Sequence, residues 1–188
     1  MRHLDDDQLI RAFVAGRDAA LGELMRRHGP AIKGYATRML QSPQQGEEVY
    51  VDTFARVATA RDRWEPRGSV RGYLFTIAHR ICLDILRQRK VARLAVPHLV
   101  ELADARPPSP SPEAQALLKE QAEELEAALH RLPHEHRQVV LMRVVHGLSA
   151  GETAAALGIT EDQVHSELSY ARKRLRSLVA APSARLEA

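Results

Sequence analysis

Apolar residues recur along this chain at three- and four-residue steps, the period of helices that bury one face. Leu74, Ile77, Ala78, Ile81 and Ile85 form one such stripe. Leu118, Ala122, Leu125, Leu129 and Leu132 form a second, and Val164, Leu168, Ala171, Leu175 and Leu178 a third. Breakers between the stripes set the elements. Upstream, helices are predicted over about Asp6 to Val14, Asp18 to Leu40, Gln44 to Ala60 and Ser69 to Lys90. Pro30 predicts a kink or break in the second, and Ser42 with Pro43 and Gln45 predicts a capped start for the third. Downstream, helices are predicted over about 113–131, His134 to His146, Thr153 to Leu157 and Thr160 to Leu178. The expected fold class is all-α.

Between the two sets of helices runs Arg106 to Pro112, RPPSPSP, which is neither helix nor central strand. The preceding stretch, Val91 to Ala105, has weak periodicity and contains Pro97. Residues 91–112 therefore read as a semi-rigid linker joining two small helical domains, 1–90 and 113–180, with a short tail at 181–188. Ala, Leu, Arg and Glu dominate the composition, and aromatics are only 4%. That mixture favours helices and argues against an aromatic-rich β-sandwich.

Charge changes the picture. Residues 1–90 hold 16 Lys and Arg against 11 Asp and Glu, whereas residues 113–188 hold 9 against 11. A basic N-terminal half points to a polyanion there. A single cysteine, Cys82, excludes a disulfide framework, and its place beside an apolar stripe predicts a buried thiol. No apolar run reaches the length of a membrane span, and the start, MRHLDDDQLI, is acidic where a signal peptide is apolar. A soluble, cytoplasmic protein is expected. No P-loop, nucleophile elbow or paired-carboxylate motif is present, so neither an enzyme, a cofactor nor a small-molecule substrate is expected. His130, His134 and His136 lie close together, but Pro133 interrupts their helical face, and they read as structural or surface histidines rather than metal ligands.

The most informative segment is C-terminal. Ser149 and Glu152 have capping-box spacing, Gly158 supplies a turn, and Thr160 and Gln163 repeat the box. Two capped helices across a three-residue turn predict a helix-turn-helix. The second helix exposes Gln163, His165, Ser166, Ser169 and Tyr170, then Arg172, Lys173, Arg174 and Arg176. Its early residues suit base edges and its later cations suit phosphates, while Glu161, Asp162 and Glu167 would repel DNA. A second surface is suggested by Trp64, set among Arg61, Arg63 and Arg67 in a Pro/Gly loop. Aromatic and guanidinium faces stack on unpaired bases. Arg71, His79, Arg80 and Arg87, with Arg89 and Lys90, could continue it as a phosphate track.

Taken together, the two halves resemble the extracytoplasmic-function (ECF) sigma factors of bacterial RNA polymerase. The similarity covers about residues 5–178. It is carried by Asp7-Gln-Leu-Ile-Arg, Ala15-Gly16-Arg-Asp18, Glu47-Glu48-Val-Tyr-Val-Asp52-Thr53-Phe54 and Arg63-Trp64-Glu-Pro-Arg67-Gly68-Ser69-Val-Arg71-Gly-Tyr73-Leu74. In the C-terminal half it is carried by Leu132-Pro133, Gly147-Leu148-Ser149, Leu157-Gly158-Ile159 and Ala171-Arg172-Lys-Arg-Leu175.

The resemblance implies roles residue by residue. Glu47, Glu48, Asp52 and Phe54 match the surface that grips core RNA polymerase. Arg61, Arg63, Trp64, Arg67, Arg71, Tyr73, His79, Arg80 and Arg87 match the part that melts and captures the minus-ten element. Gln163, His165, Ser166, Ser169, Tyr170, Arg172, Lys173 and Arg174 match the reader of the minus-thirty-five element. The implied partners are core RNA polymerase, promoter DNA as duplex and melted strand, and an anti-sigma factor, often membrane-bound in this family. The implied function is promoter-directed transcription initiation.

The departures are Val51 where the family has Gln, Arg80 where it often has Asn, and His165, Glu167 and Tyr170 where it usually has cations. They predict a divergent minus-thirty-five preference, weaker intrinsic DNA binding, or diversion of this half toward protein contact. The alternative reading is a stand-alone helix-turn-helix regulator that binds duplex DNA without polymerase.

Overall fold

The computed structural model describes residues 1, 3–63, 68–95 and 123–180, and among these every regular element is helical. Helix α1 spans Asp6–Val14, capped by Asp5, whose carboxylate accepts from the Gln8 N–H at 2.7 Å while Gln8 answers the Asp5 N–H. Helix α2 spans Asp18–Leu40. Of the expected kink or break at Pro30, the break does not occur: the helix is continuous through it. One ladder bond is lost there, but Gly29, Ile32, Tyr35 and Ala36 of the same stretch are all buried, and packing outweighs a missing donor. Helix α3, Pro43–Thr59, follows with the Gln45 N–H on Ser42 Oγ at 3.3 Å. It runs back along α2 so closely that a Cβ at Gly46 would overlap the Thr37 hydroxyl.

Helix α4 spans Val70–Ala95 and so runs beyond the expected end at Lys90, into the segment assigned to the linker. The Pro-rich stretch, the first part (113–122) of the helix predicted over 113–131 and the tail lie outside the described residues. Helical residues 123–130 form α5. Helix α6, His134–Val140, passes into a π-helical turn at Leu141–Val145, where the His146 N–H donates to the Leu141 carbonyl five residues back. The wider turn replaces the single helix expected over 134–146. Helices α7, Ala150–Leu157, and α8, Glu161–Ala180, are the last of the described elements.

Two apolar cores result. The first gathers Leu9, Phe13, Leu24, Ile32, Tyr35, Met39, Phe75 and Cys82 from α1 to α4 and also takes in Leu141, Met142, Leu148 and Ala156. The second holds Leu129, Leu132, Val139, Val140, Val164, Leu168 and Ala171. Cys82 is buried as expected, and burial pushes its thiol up to about 12.

Arg137 joins the parts. It is 6% exposed, and its guanidinium donates to the carbonyls of Leu129 (2.9 Å), His130 (2.6 Å) and Leu132 (2.8 Å). It thereby covers the orphan acceptors at the end of α5, and it reaches the Met39 carbonyl near the end of α2 at 3.4 Å.

Candidate nucleic-acid interface

The helix-turn-helix is assembled by local hydrogen bonds. The Glu152 N–H donates to Ser149 Oγ at 3.1 Å, and the Ser149 N–H donates to the Glu152 carboxylate at 2.7 Å. Gly158 closes α7 in the left-handed region at φ 69°, where a side chain would be strained, and the Ile159 N–H returns to the Ala154 carbonyl at 3.1 Å. The second box is also formed: the Gln163 N–H meets Thr160 Oγ1 at 3.2 Å, and the Thr160 N–H meets Gln163 Oε1 at 2.8 Å. Val164, Leu168 and Ala171 turn inward, which fixes what the other side of α8 exposes.

Gln163, His165, Ser166, Ser169, Tyr170, Arg172, Lys173 and Arg174 are all exposed. They fall on two flanks. His165, Ser169, Arg172, Lys173 and Arg176 line a shallow basic concavity. By the 100° step of the helix, Glu167 lies on the opposite flank, toward Tyr170 and Arg174. There its carboxylate is hydrogen-bonded to His136 Nδ1 of α6. Glu167, expected from the sequence to repel DNA, is thus bonded to α6.

On α3, Glu47, Glu48 and Asp52 are exposed, as is Val51. Glu47 pairs with Lys33 of α2, and Glu48 accepts from Gln44 at 3.4 Å. Phe54 is not part of that surface. It is 2% exposed and packs edge-on against Tyr50, ring centroids 5.4 Å apart. Its place on the stripe of Val49, Thr53 and Val57 puts it in the core.

The third group divides. Trp64 and Arg67 lie outside the described residues, as does the Arg63 side chain. Arg61 pairs with Asp18 and sits over the Phe13 ring, 4.1 Å from its centroid, so its cation anchors the end of α3 to α1 and α2. Arg80 and Arg87 are exposed on α4, Arg87 bonded to Asp84 at 3.0 Å, and Tyr73 is half-buried near its start. His79 contradicts the phosphate-track assignment. It is 3% exposed and hydrogen-bonded to the Tyr35 hydroxyl at 2.9 Å. Burial, with the fields of His134, Arg80 and Arg87, pushes it down to about 4 and keeps it neutral. The signal was present in the sequence: His79 is four residues from Phe75 and three from Cys82, on the buried stripe. Arg89 is likewise structural, donating to the Leu40 carbonyl at 2.9 Å and to Gln45.

The start of α4 is docked on the helix-turn-helix. Ser69 donates to the Glu152 carboxylate, and the Arg71 guanidinium donates to the His146 carbonyl. Burial alone would raise the Glu152 carboxyl, but the hydrogen bonds from Ser69 and Ser149 and the charge of Arg71 outweigh it and hold it below its ordinary range. The His146 ring packs 5.3 Å from Phe75 and 6.2 Å from Tyr35. Sequence reasoning missed these contacts, together with Arg137 and His136.

Comparison with known proteins completes the picture. Residues 24–91 match the family described as Sigma-70 region 2, and residues 122–175 match Sigma-70, region 4. The chain is 30% identical to RNA polymerase sigma factor CnrH of Cupriavidus metallidurans, over 95% of this chain and 97% of that one. It is 30% identical to ECF RNA polymerase sigma factor SigM of Mycobacterium tuberculosis, over 93% of this chain and 84% of the relative. The chain belongs to the ECF RNA polymerase sigma factors. It is a transcription initiation factor that directs RNA polymerase to promoters. The fold of this sigma factor matches CnrH in complex with the cytosolic domain of CnrY at a TM-score of 0.71, 26% identity and 95% and 100% coverage of the two chains. It matches RpoE of Bartonella quintana in complex with the anti-sigma factor NepR, also at 0.71, with 21% identity and coverage of 86% and 98%. Among the described residues no helix is long and apolar enough to cross a membrane.

Proposed function

We propose that this sigma factor grips core RNA polymerase through the acidic side of α3, reads the minus-thirty-five element with α8, and opens and holds the minus-ten element with the segment from Arg61 to Arg87. The observation that carries the reading is the doubly capped helix-turn-helix whose second helix presents a basic concavity. Gln163, His165 and Ser166, in its first turns, suit base edges, Ser169 and Tyr170 continue that face, and Arg172, Lys173 and Arg174 suit phosphates. Glu47, Glu48 and Asp52 supply the polymerase contact, with Phe54 supporting them from the core. Arg80 and Arg87 supply exposed cations on α4, with Arg71 and Tyr73 at its start. Arg63, Trp64 and Arg67 are assigned to the unpaired bases, for which a π-face with a cationic rim is the required chemistry.

The domain assignment of 1–90, 91–112 and 113–180 belongs to the same reading, with the N-terminal unit extended by the end of α4. So does an anti-sigma partner, supported by the complexes in which CnrH and RpoE were solved. The protein acts in the cytoplasm and performs no catalytic step of its own.

The test is to mix the full chain with bacterial core RNA polymerase and follow complex formation by native gel during a salt titration. A stable complex weakened by Glu48→Lys or Asp52→Lys supports the reading. Specific duplex binding by the chain alone, with no polymerase complex, would return the stand-alone regulator. In the holoenzyme, Trp64→Ala is expected to reduce promoter melting while leaving duplex binding intact.

A further inference from the structure

Two residues of the recognition helix are tied to one imidazole outside it. His136 Nδ1 is hydrogen-bonded to the Glu167 carboxylate, and the same ring lies against Tyr170 with centroids 4.4 Å apart. A carboxylate only accepts, so His136 presents Nδ1–H to it. The pair is partly shielded, His136 at 17% and Glu167 at 37% side-chain exposure. Glu167 and Tyr170 are one turn apart on the same flank, and the cations of the concavity occupy the other. Both residues stand where the family resemblance expects positive charge, so both need an account.

We propose that His136 is a positioning residue for minus-thirty-five recognition: it holds the Glu167 carboxylate to α6 and sets the Tyr170 ring at the edge of the DNA-facing surface. An uncommitted carboxylate on this helix would stand within a Debye length of the phosphates and oppose binding. Committed to His136, it is turned to α6, away from the flank that carries the concavity. The Tyr170 ring, backed by the imidazole, then offers a fixed apolar face at the groove wall, the kind of surface that meets a thymine methyl.

The inference rests on the reading of α8 as the minus-thirty-five helix. The experiment is a salt titration of holoenzyme affinity on two promoters, one intact and one with a scrambled minus-thirty-five element. Wild-type holoenzyme is expected to prefer the intact promoter. His136→Ala is expected to weaken binding to it about three- to fivefold at low salt, the size of an exposed charge interaction. The loss is expected to shrink as salt rises, to be smaller on the scrambled promoter, where α8 docks less closely, and to be largely reversed by adding Glu167→Gln. His136→Gln keeps a donor for Glu167 and is expected to stay within about twofold of wild type. A His136→Ala loss that Glu167→Gln leaves unchanged, an equal loss on both promoters, or no loss at all overturns the inference. Wild-type holoenzyme indifferent to the minus-thirty-five element overturns the reading of α8, and the inference with it.

Discussion

The two apolar cores are secured in different ways. The first buries Phe13, Tyr35 and Phe75 completely, with Tyr35 and Phe75 edge to face at 5.5 Å, between helices as long as 23 and 26 residues. The second buries only Leu, Val and Ala side chains. A small core excludes less water per residue and leaves less margin over chain entropy. The second unit makes up the difference with polar fasteners: two capping boxes, the Gly158 turn and the Arg137 guanidinium on three carbonyls at the end of α5. Helix α8 therefore stands on the part of the molecule that depends most on individual hydrogen bonds.

The comparison is broken most directly at Arg137. Arg137→Leu removes the donors and leaves buried carbonyls unpaired, a loss of about 3–5 kcal/mol. Chemical denaturation should then show α5 to α8 melting ahead of α1 to α4. A single, unshifted transition would mean that the guanidinium contributes little. Arg137→Lys should recover only a minor part, because an ammonium lacks the planar fork that reaches several carbonyls at once.

The second test strikes the first core through pH. His79 is held neutral, with its folded value at about 4 against an ordinary 6.5. The unfolded chain then binds more protons between those values, so the stabilisation is complete above pH 6.5 and is lost as pH falls toward 4. His146 is pushed down to about 4 as well, first by burial and then by Arg38 and Arg71, and it adds with the same sign. Lowering pH from 7 to 5 should cost about 2 kcal/mol through His79 alone. Urea denaturation at the two pH values measures it, and a His79→Phe variant should show a flatter dependence.

The smallest effect sharpens the contrast. Ser149→Ala deletes one cap of α7 and should cost about 1 kcal/mol. Hydrogen exchange should report faster opening in α7 with little change in α1 to α3. Uniform acceleration through the whole chain would show that the two units open together.

What was legible in the sequence follows the range of the interaction. The capping boxes at Ser149 and Thr160 are three-residue events, and both formed as read. The stripe of α8 was legible for the same reason, since its period is local. At Pro30 the sequence allowed a kink or a break, and the break did not follow because a single missing donor is a local signal that packing overrules. His79 and Phe54 were assigned by family position and chemistry, while their places on buried stripes, also legible, decided the outcome. His136 with Glu167, Arg137 with Met39 and Ser69 with Glu152 join residues 31, 98 and 83 positions apart. No periodicity in a single chain encodes such pairings.

The docking of α4 on α7 sets a length scale. Elements named minus ten and minus thirty-five lie about 25 base pairs apart, roughly 85 Å along the duplex at 3.4 Å per pair. A compact chain of 188 residues has a radius of gyration of about 16 Å and spans only some 40–50 Å. On the proposed reading, the packed molecule is shorter than the interval it measures. Ser69, Arg71 and the apolar side chains that α7 and the π turn lend to the first core therefore act as a folded ruler. On that same reading, both marks are read at once only when these contacts open.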